Sequence, residues 1–212
     1  RVGVSLNLPA LVRVLDAGLH DERLFLVMDL VLGTSLRDVI ASGPLSPGQA
    51  VALLRPVFEG VHAAHDGGVI HRDLKPENIL RMANGQMRIL DFGLARSDSY
   101  TRITQTGAVL GTAAYLAPEQ IMESRADAAT DQYALGIITY ELLAGRPPFE
   151  GDAFVVMTQQ YSEDPPLLRS LAPDVSEAVA AAVARMLEKD PSARFASVTA
   201  ALEALEAALQ AP

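Results

Sequence analysis

His71-Arg72-Asp73-Leu74-Lys75-Pro76-Glu77-Asn78, followed thirteen residues later by Asp91-Phe92-Gly93, is the stretch that decides the fold. It sets two carboxylates, an amide, a lysine and an arginine at fixed offsets on two neighbouring loops. A carboxylate such as Asp73, within hydrogen-bond reach of a hydroxyl, can aim it in line and take its proton late in a phosphoryl transfer. Mg²⁺ takes oxygen ligands, one or two from protein and the rest from phosphates and water. The amide oxygen of Asn78 and the carboxylate of Asp91 meet that need, with Mn²⁺ as an alternative ion. Lys75 is a mobile point charge suited to a phosphate in flight. Each residue also has a plain structural reading: Asp73 could cap a turn, Asn78 could close the loop, and Asp91 could start a turn before Gly93. The joint spacing argues for chemistry; Asp-Phe-Gly alone would be weak.

The flanking sequence supplies elements to carry these loops. Leu11 to Asp16 and Leu24 to Leu30 read as strands, joined by a polar turn over Gly18 to Arg23. Residues 1 to 9 read as a helix end closed by Pro9. Thr34 to Ala41 suits a short helix. Ser46-Pro47 starts a longer one, with a capping hydroxyl and Pro in the first turn, and Gly67-Gly68 stops it. Val51, Leu54, Phe58, Val61 and His65 fall on one face of that helix, and Pro56 interrupts its hydrogen bonding. Ile79 to Arg81 and Met87 to Leu90 form a second hairpin turning at Asn84-Gly85, which delivers Asp91 beside Asp73. Residues 94 to 116 form a long loop rich in Ser and Thr, a length that usually signals function. Residues 131 to 144 are apolar almost all round, which predicts a buried helix ended by Gly145. Helices are expected over 152–161, 176–187 and 197–209. His62 and His65 are three apart on a helix, but no third metal ligand accompanies them.

Composition narrows the class. The 212 residues suffice for a sizeable core. A net charge of −9 argues against a nucleic-acid partner, which would call for a basic face. Cysteine is absent, so disulfides and thiolate metal sites are excluded, in keeping with a cytoplasmic setting. No apolar run reaches the roughly 20 residues of a membrane helix.

At these motifs the chain resembles the protein kinases, and specifically the Hanks-type, receptor-like serine/threonine kinases of bacteria. The resemblance implies ATP and Mg²⁺ as cofactors and Ser/Thr side chains of proteins as substrates. It implies catalytic roles for Asp73 and Lys75 and metal binding by Asn78 and Asp91. Lys75 at this place marks Ser/Thr specificity in the family. Met28, Asp29 and Val31 match the hinge that grips adenine, and Leu80 matches the residue packing under the base. His71 and Phe92 match apolar struts linking the two lobes. Arg72 matches an arginine left as a buried positive charge until a phosphate on the activation loop pairs with it. Thr104 and Thr106 match paired threonines that are autophosphorylated, with self-association in trans as the implied route. Thr112 matches the threonine that bonds the catalytic Asp and Lys. Glu119 of Ala117-Pro118-Glu119 implies Arg194 as its buried partner. Asp131 matches the aspartate that anchors the catalytic loop through backbone N–H groups.

The expected fold is therefore α+β and mostly α. It is protein-kinase-like, a C-terminal lobe over residues 31–212 with a remnant of the N-terminal lobe over residues 1–30. The sequence holds no G-x-G-x-x-G and no V-A-I-K-like strand, and its first lysine is Lys75. With Arg1 at the start, the expectation is a piece of a longer kinase, any membrane anchor lying outside it. The segment alone is expected to be inactive and to leave apolar strand faces unburied. Two other readings stay open: a non-catalytic, pseudokinase-like binding module, and a small-molecule phosphotransferase of related fold. The full set of catalytic groups weighs against the first. The long threonine-bearing loop and Ala117-Pro118-Glu119 weigh against the second.

Overall fold

The computed structural model describes residues 10–21, 23–90, 113–123 and 126–211. Its centre is a helix with no polar face, and the remaining helices cover it. In this helix, α4 (Ala128–Ala144), every residue from Thr130 to Leu143 is buried. Asp127 caps its first turn in a reciprocal box with Thr130, and Gly145, in a left-handed conformation (φ 78°), ends it. A Cβ on Gly136 would lie 2.9 Å from the side chains of Met186 and Leu187, so the helix that carries them can close in only on glycine.

Around this spine pack α2 (Pro47–Asp66), α7 (Glu177–Met186) and α8 (Val198–Gln210). The start of α2 follows its sequence signal: the Ser46 hydroxyl accepts from Gln49 N–H and Gln49 reaches back to Ser46 N–H. The helix runs through Pro56 to Asp66. α1 (Leu36–Ala41), α3 (Pro118–Glu123), α5 (Ala153–Ser162) and α6 (Leu168–Leu171) complete the set among the described residues. The apolar side chains of α1, α2, α4, α7 and α8 form one continuous core.

Strands β1 (Val14–His20) and β2 (Arg23–Met28) make an antiparallel hairpin, and β3 (Gly33–Ser35), β4 (Ile79–Met82) and β5 (Met87–Ile89) make a separate antiparallel sheet in the order β3-β4-β5. Ser35 pairs with Leu80, and Ile79 with Ile89. Leu11 bridges Ile89 in parallel, and Val12 N–H donates to Ile89 O at 3.0 Å.

Three boundaries and one short helix depart from the sequence reading, each for a physical reason. The first strand begins at Val14 because Leu11 and Val12 are committed to β5 instead. The turn after it is shorter than Gly18–Arg23, because Asp21 adopts a positive φ (47°) and His20 already pairs with Arg23. Thr34 and Ser35 belong to β3, and the helix starts at Leu36, two residues later than expected, with Ser35 as its cap. The single turn α6 gives no readable period because it spans only four residues. On the outer hairpin, Leu15, Leu19, Phe25, Val27 and, beyond it, Leu30 and Leu32 are exposed.

α2 approaches the chain at Ala10 closely: a Cβ on Gly60 would lie 2.5 Å from the Ala10 Cβ and 3.4 Å from Ile89 Cδ1. Gly48, in the first turn of the same helix, has open space around it. Gly60→Val is expected to cost about 1–3 kcal/mol in urea unfolding through overpacking. Gly48→Ala should leave stability unchanged or raise it by roughly 0.5 kcal/mol. Equal effects at the two sites would contradict this packing.

Candidate active site

The loop from His71 to Asn78 lies between α2 and β4 and is held from below by buried side chains. Leu74 is buried in the core, and Pro76 opens a tight 3₁₀ turn over Pro76–Asn78, closed by Asn78 N–H on Lys75 O at 2.9 Å. Proline suits that place because its φ is preset and it has no N–H to satisfy.

Within the loop, three of the sequence-predicted residues converge. Lys75 Nζ donates to Asp73 Oδ2 at 2.8 Å. Asn78 Nδ2 donates to the main-chain oxygen of Asp73 at 2.9 Å and lies 3.4 Å from its Oδ2. The acceptor is a carbonyl, so the NH₂ end of the amide must face it and Asn78 Oδ1 is the end left to bind a cation. Asp73 is half-buried and uses Oδ2 for these contacts, which leaves Oδ1 for a hydroxyl.

The loop is pinned by Asp131, in the first turn of α4 and 1% exposed. Its carboxylate accepts from His71 N–H at 2.8 Å, from Arg72 N–H at 2.9 Å, and meets His65 Nε2 at 2.8 Å. Buried carboxylates need this degree of satisfaction, and a helix N-terminus is a favourable place for the charge. Arg72 pays for the geometry with a left-handed backbone, φ 72°, a conformation costing about 1–2 kcal/mol for a non-glycine residue. Gln120 Nε2 holds the next peptide by donating to Arg72 O at 2.9 Å.

His71 is fully buried, but it is more than an apolar strut. Its Nδ1 accepts from Asp73 N–H at 3.2 Å and its Nε2 lies 2.8 Å from Leu90 O. One neutral tautomer, with the proton on Nε2, satisfies both contacts. Leu90 N–H also donates to Asn78 O at 2.8 Å, so the last described residue before Asp91 is tied to both ends of the loop. The Arg72 side chain is exposed rather than buried, since the left-handed backbone turns it away from the core. Glu119 and Arg194 meet in a buried bidentate pair at 2.8 and 2.9 Å. Thr130 Oγ1 donates to Glu119 at 3.0 Å, and the Arg194 guanidinium also donates to three main-chain carbonyls.

Of the predicted nucleotide-contacting residues, Met28 ends β2, and Asp29 N–H donates to Arg13 O while its carboxylate pairs with Arg13. Val31 is half-buried, as is Leu80 in β4. Arg13 directly follows Val12, which is bonded to Ile89, the partner of Ile79, so the end of β2 joins the sheet one position from Leu80. Asp91, Phe92, Thr104, Thr106 and Thr112 lie outside the described residues.

Sequence reasoning missed two features of this region. The first is that His65 meets the buried Asp131, while His62 faces Asp66 at 3.4 Å. Nothing local distinguishes a histidine on an apolar helix face that reaches a buried acid. The second is a charged cluster of Arg37, Glu77 and Glu141 with Tyr115. Its sequence signal was available: Glu141 sits inside an otherwise apolar helix and requires a cation. Burial opposes the charge on Arg37, but its hydrogen bonds to Glu77 and Glu141 outweigh that and hold its pKa above the ordinary guanidinium value. Burial, reinforced by Glu141, raises the Tyr115 phenol well above the usual range, so it stays neutral.

The profile of the protein kinase domain matches residues 2–207, and the chain belongs to that family. It is 44% identical over 213 residues to the serine/threonine-protein kinase PknL of Mycobacterium tuberculosis, covering 98% of this chain and 52% of PknL. It is 44% identical to the serine/threonine-protein kinase pkn2 of Myxococcus xanthus over 94% of this chain and 25% of that protein. Against PknB of Mycolicibacterium smegmatis it is 38% identical over 90% of this chain and 32% of PknB. The chain thus spans about half the length, or less, of these curated relatives.

Two substitutions test the supports. Asp131→Asn keeps the shape but leaves an NH₂ facing N–H donors, and is expected to cost about 1–3 kcal/mol in chemical denaturation. Arg194→Ala strands a buried carboxylate and should cost about 3–5 kcal/mol, much of it recovered when Glu119→Leu is combined with Arg194→Met. No loss in either single variant would contradict the geometry.

Proposed function

We propose that this chain is the catalytic part of a longer enzyme that transfers the γ-phosphoryl group of ATP to Ser or Thr hydroxyls of protein substrates. The observation that carries this reading is the cluster of Asp73, Lys75 and Asn78, in a chain that belongs to the protein kinase family. Asp73 orients the substrate hydroxyl through Oδ1 and receives its proton. Lys75, held on Asp73, lies ready to offset charge on the transferring phosphate. Asn78 fits a magnesium site because its amide nitrogen is already engaged and its oxygen is not. Asn78 and Asp91 would hold the ion, which when bound screens phosphate charge. Met28, Asp29, Val31 and Leu80 would frame the adenine.

In the same reading, residues 31–212 form the C-terminal lobe and residues 1–30 the end of an N-terminal lobe. Phosphate on Thr104 or Thr106, placed there by a second copy of the enzyme, would pair with Arg72, and Thr112 would support Asp73 and Lys75. Arg72 is already exposed, so the phosphate has no buried charge to neutralise and acts by ordering the loop. His71 and Phe92 would link the two lobes, and Asp131 and the Glu119–Arg194 pair hold the site's shape. The enzyme would work in the cytoplasm; among the described residues no helix is long and apolar enough to cross a membrane. This segment alone would be inactive, because it lacks a glycine-rich loop and a second phosphate-pairing lysine.

The test is phosphotransfer by the longer gene product with Mg·ATP and a Ser/Thr peptide library. Asp73→Asn should lower kcat by about 10²–10⁴-fold with little change in KM for ATP. Mass spectrometry should find phosphate on Thr104 or Thr106 in the wild type and not in that variant. A well-folded wild-type enzyme that phosphorylates no peptide, or an Asp73→Asn variant of undiminished rate, would overturn the proposal.

A further inference from the structure

Lys189 has no part in the chemistry above, yet its amine joins segments that are far apart in sequence. It follows α7, and its Nζ donates to Gln160 O at 2.8 Å and to the Tyr133 hydroxyl at 3.2 Å. That hydroxyl donates to Gln160 Oε1 at 2.5 Å, and Gln160 Nε2 donates to Ala114 O at 2.5 Å. Tyr133 and Gln160 are both fully buried. An unbroken run of hydrogen bonds thus leads from the amine, through α4 and α5, to the 3₁₀ turn over Ala113–Tyr115. The turn has little other anchorage on this side. Ala113 packs with Phe149 and Val156 in a small cluster apart from the continuous core. Lys189 Nζ caps that cluster, 5.0 Å from the centre of the Phe149 ring and 5.7 Å from that of Tyr133.

The environment of this amine is that of a nucleophile. Both of its hydrogen-bond acceptors are neutral oxygens, and among the described residues no carboxylate comes within ion-pair distance of it. Burial lowers its pKa to about 8; the more distant carboxylates of Asp164 and Glu163, just beyond α5, oppose that shift, and the Arg194 guanidinium assists it. Tyr133, which faces it from α4, stays a neutral phenol because burial pushes its pKa up. The Tyr133 ring already carries Arg194 at 4.8 Å, so two cations share one aromatic face and each discourages the other. Apolar packing with a neighbouring cation is the arrangement that frees the lone pair of a lysine near neutral pH. Lys189 is half-buried rather than enclosed, and its neighbours Glu188 and Asp190 are exposed, so a small reagent reaches it from solvent.

We propose that Lys189 is a modification site that accepts activated acetyl groups, and that its acetylation releases the Ala113–Tyr115 turn from α5. In the step, the lone pair of Nζ forms a bond to the acyl carbon. The bond from that carbon to its phosphate or thiolate leaving group breaks, and the leaving group departs with the electron pair. The amine proton passes to the leaving group or to water, and nothing is oxidised or reduced. The product is an uncharged amide with one N–H where the ammonium had three. One N–H cannot serve both Gln160 O and the Tyr133 hydroxyl, and the attraction to the Phe149 and Tyr133 rings is lost with the charge. The acetyl group also needs room that the two rings occupy. The run of bonds to Ala114 O then loses its origin.

The experiment incubates the protein, without nucleotide, with millimolar acetyl phosphate or, in parallel, acetyl-CoA over a range of pH, and maps the acetylated sites by mass spectrometry. This chain holds only two lysines, and the amine of the other, Lys75, is held on the Asp73 carboxylate at 2.8 Å. Lys189 should be acetylated about tenfold or more faster than Lys75 at neutral pH. Its rate should rise to a plateau with a midpoint near pH 8. The faster donor identifies the source, and the smaller acetyl phosphate is expected to be the one. Hydrogen exchange reads the consequence: the segment 113–117 should exchange about tenfold or more faster in the acetylated protein. Lys189→Arg, which keeps a cation and takes no acetyl group, should show no change in exchange after the same treatment. Lys189→Gln, an uncharged amide, should show the fast exchange untreated; should it not fold, the acetylated wild type carries the test.

Acetyl groups on Lys75 but not on Lys189 would overturn the proposal. So would a Lys189 rate that keeps climbing past pH 10 as a free amine does, or an acetylated protein whose 113–117 segment exchanges as before. None of these readouts uses phosphotransfer, so they decide on Lys189 whether or not the enzymatic reading holds.

Discussion

The geometry of the loop from His71 to Asn78 depends on the carboxylate of Asp131. That carboxylate is buried in the first turn of α4 and accepts from two consecutive main-chain N–H groups, those of His71 and Arg72, while also meeting His65. Those bonds hold Arg72 in a left-handed conformation it would not otherwise keep. The reversal at Arg72 lets His71 enter the core while Asp73 emerges half-buried beside Lys75 and Asn78. The geometry of the proposed catalytic loop is therefore inherited from a helix, through a charge that cannot be exchanged cheaply for an apolar side chain.

The same helix distributes other constraints. Thr130, one residue before Asp131, holds Glu119, whose bidentate partner Arg194 comes from the segment ahead of α8. Gly136 lets Met186 and Leu187 approach, and Glu141 gathers Arg37 and Tyr115 at the far end. A helix buried on all sides has no solvent-facing stripe to accept polar residues, so each of these polar groups is matched by a partner from another element. This explains why one helix reaches the loop, the 113–119 segment and the residues around Arg194.

Much of this was legible in the sequence, though unevenly. The spacing from His71 to Asn78 identifies the loop because its chemistry needs those groups at those offsets. Ser46-Pro47 and Asn84-Gly85 fix a helix start and a turn through local geometry alone. The first strand was harder, because Leu11 and Val12 pair with Ile89 across the chain and no local pattern shows that partner. His65 and Arg37 escaped for a similar reason: each is defined by a distant carboxylate. The exposure of Arg72 depends on a backbone conformation imposed by Asp131, which residue type does not reveal.

The central claim is that this scaffold leaves one oxygen of Asn78 and one of Asp73 free for the metal and the substrate. The most direct measurement is a crystal structure of the protein with Mg²⁺ and a non-hydrolysable ATP analogue. The account predicts Asn78 Oδ1 at about 2.1 Å from the ion, with Nδ2 still on the Asp73 carbonyl. An ion bound to the nucleotide but beyond about 4 Å from Asn78, or an Asn78 turned so that its amide nitrogen faces the metal, would contradict it.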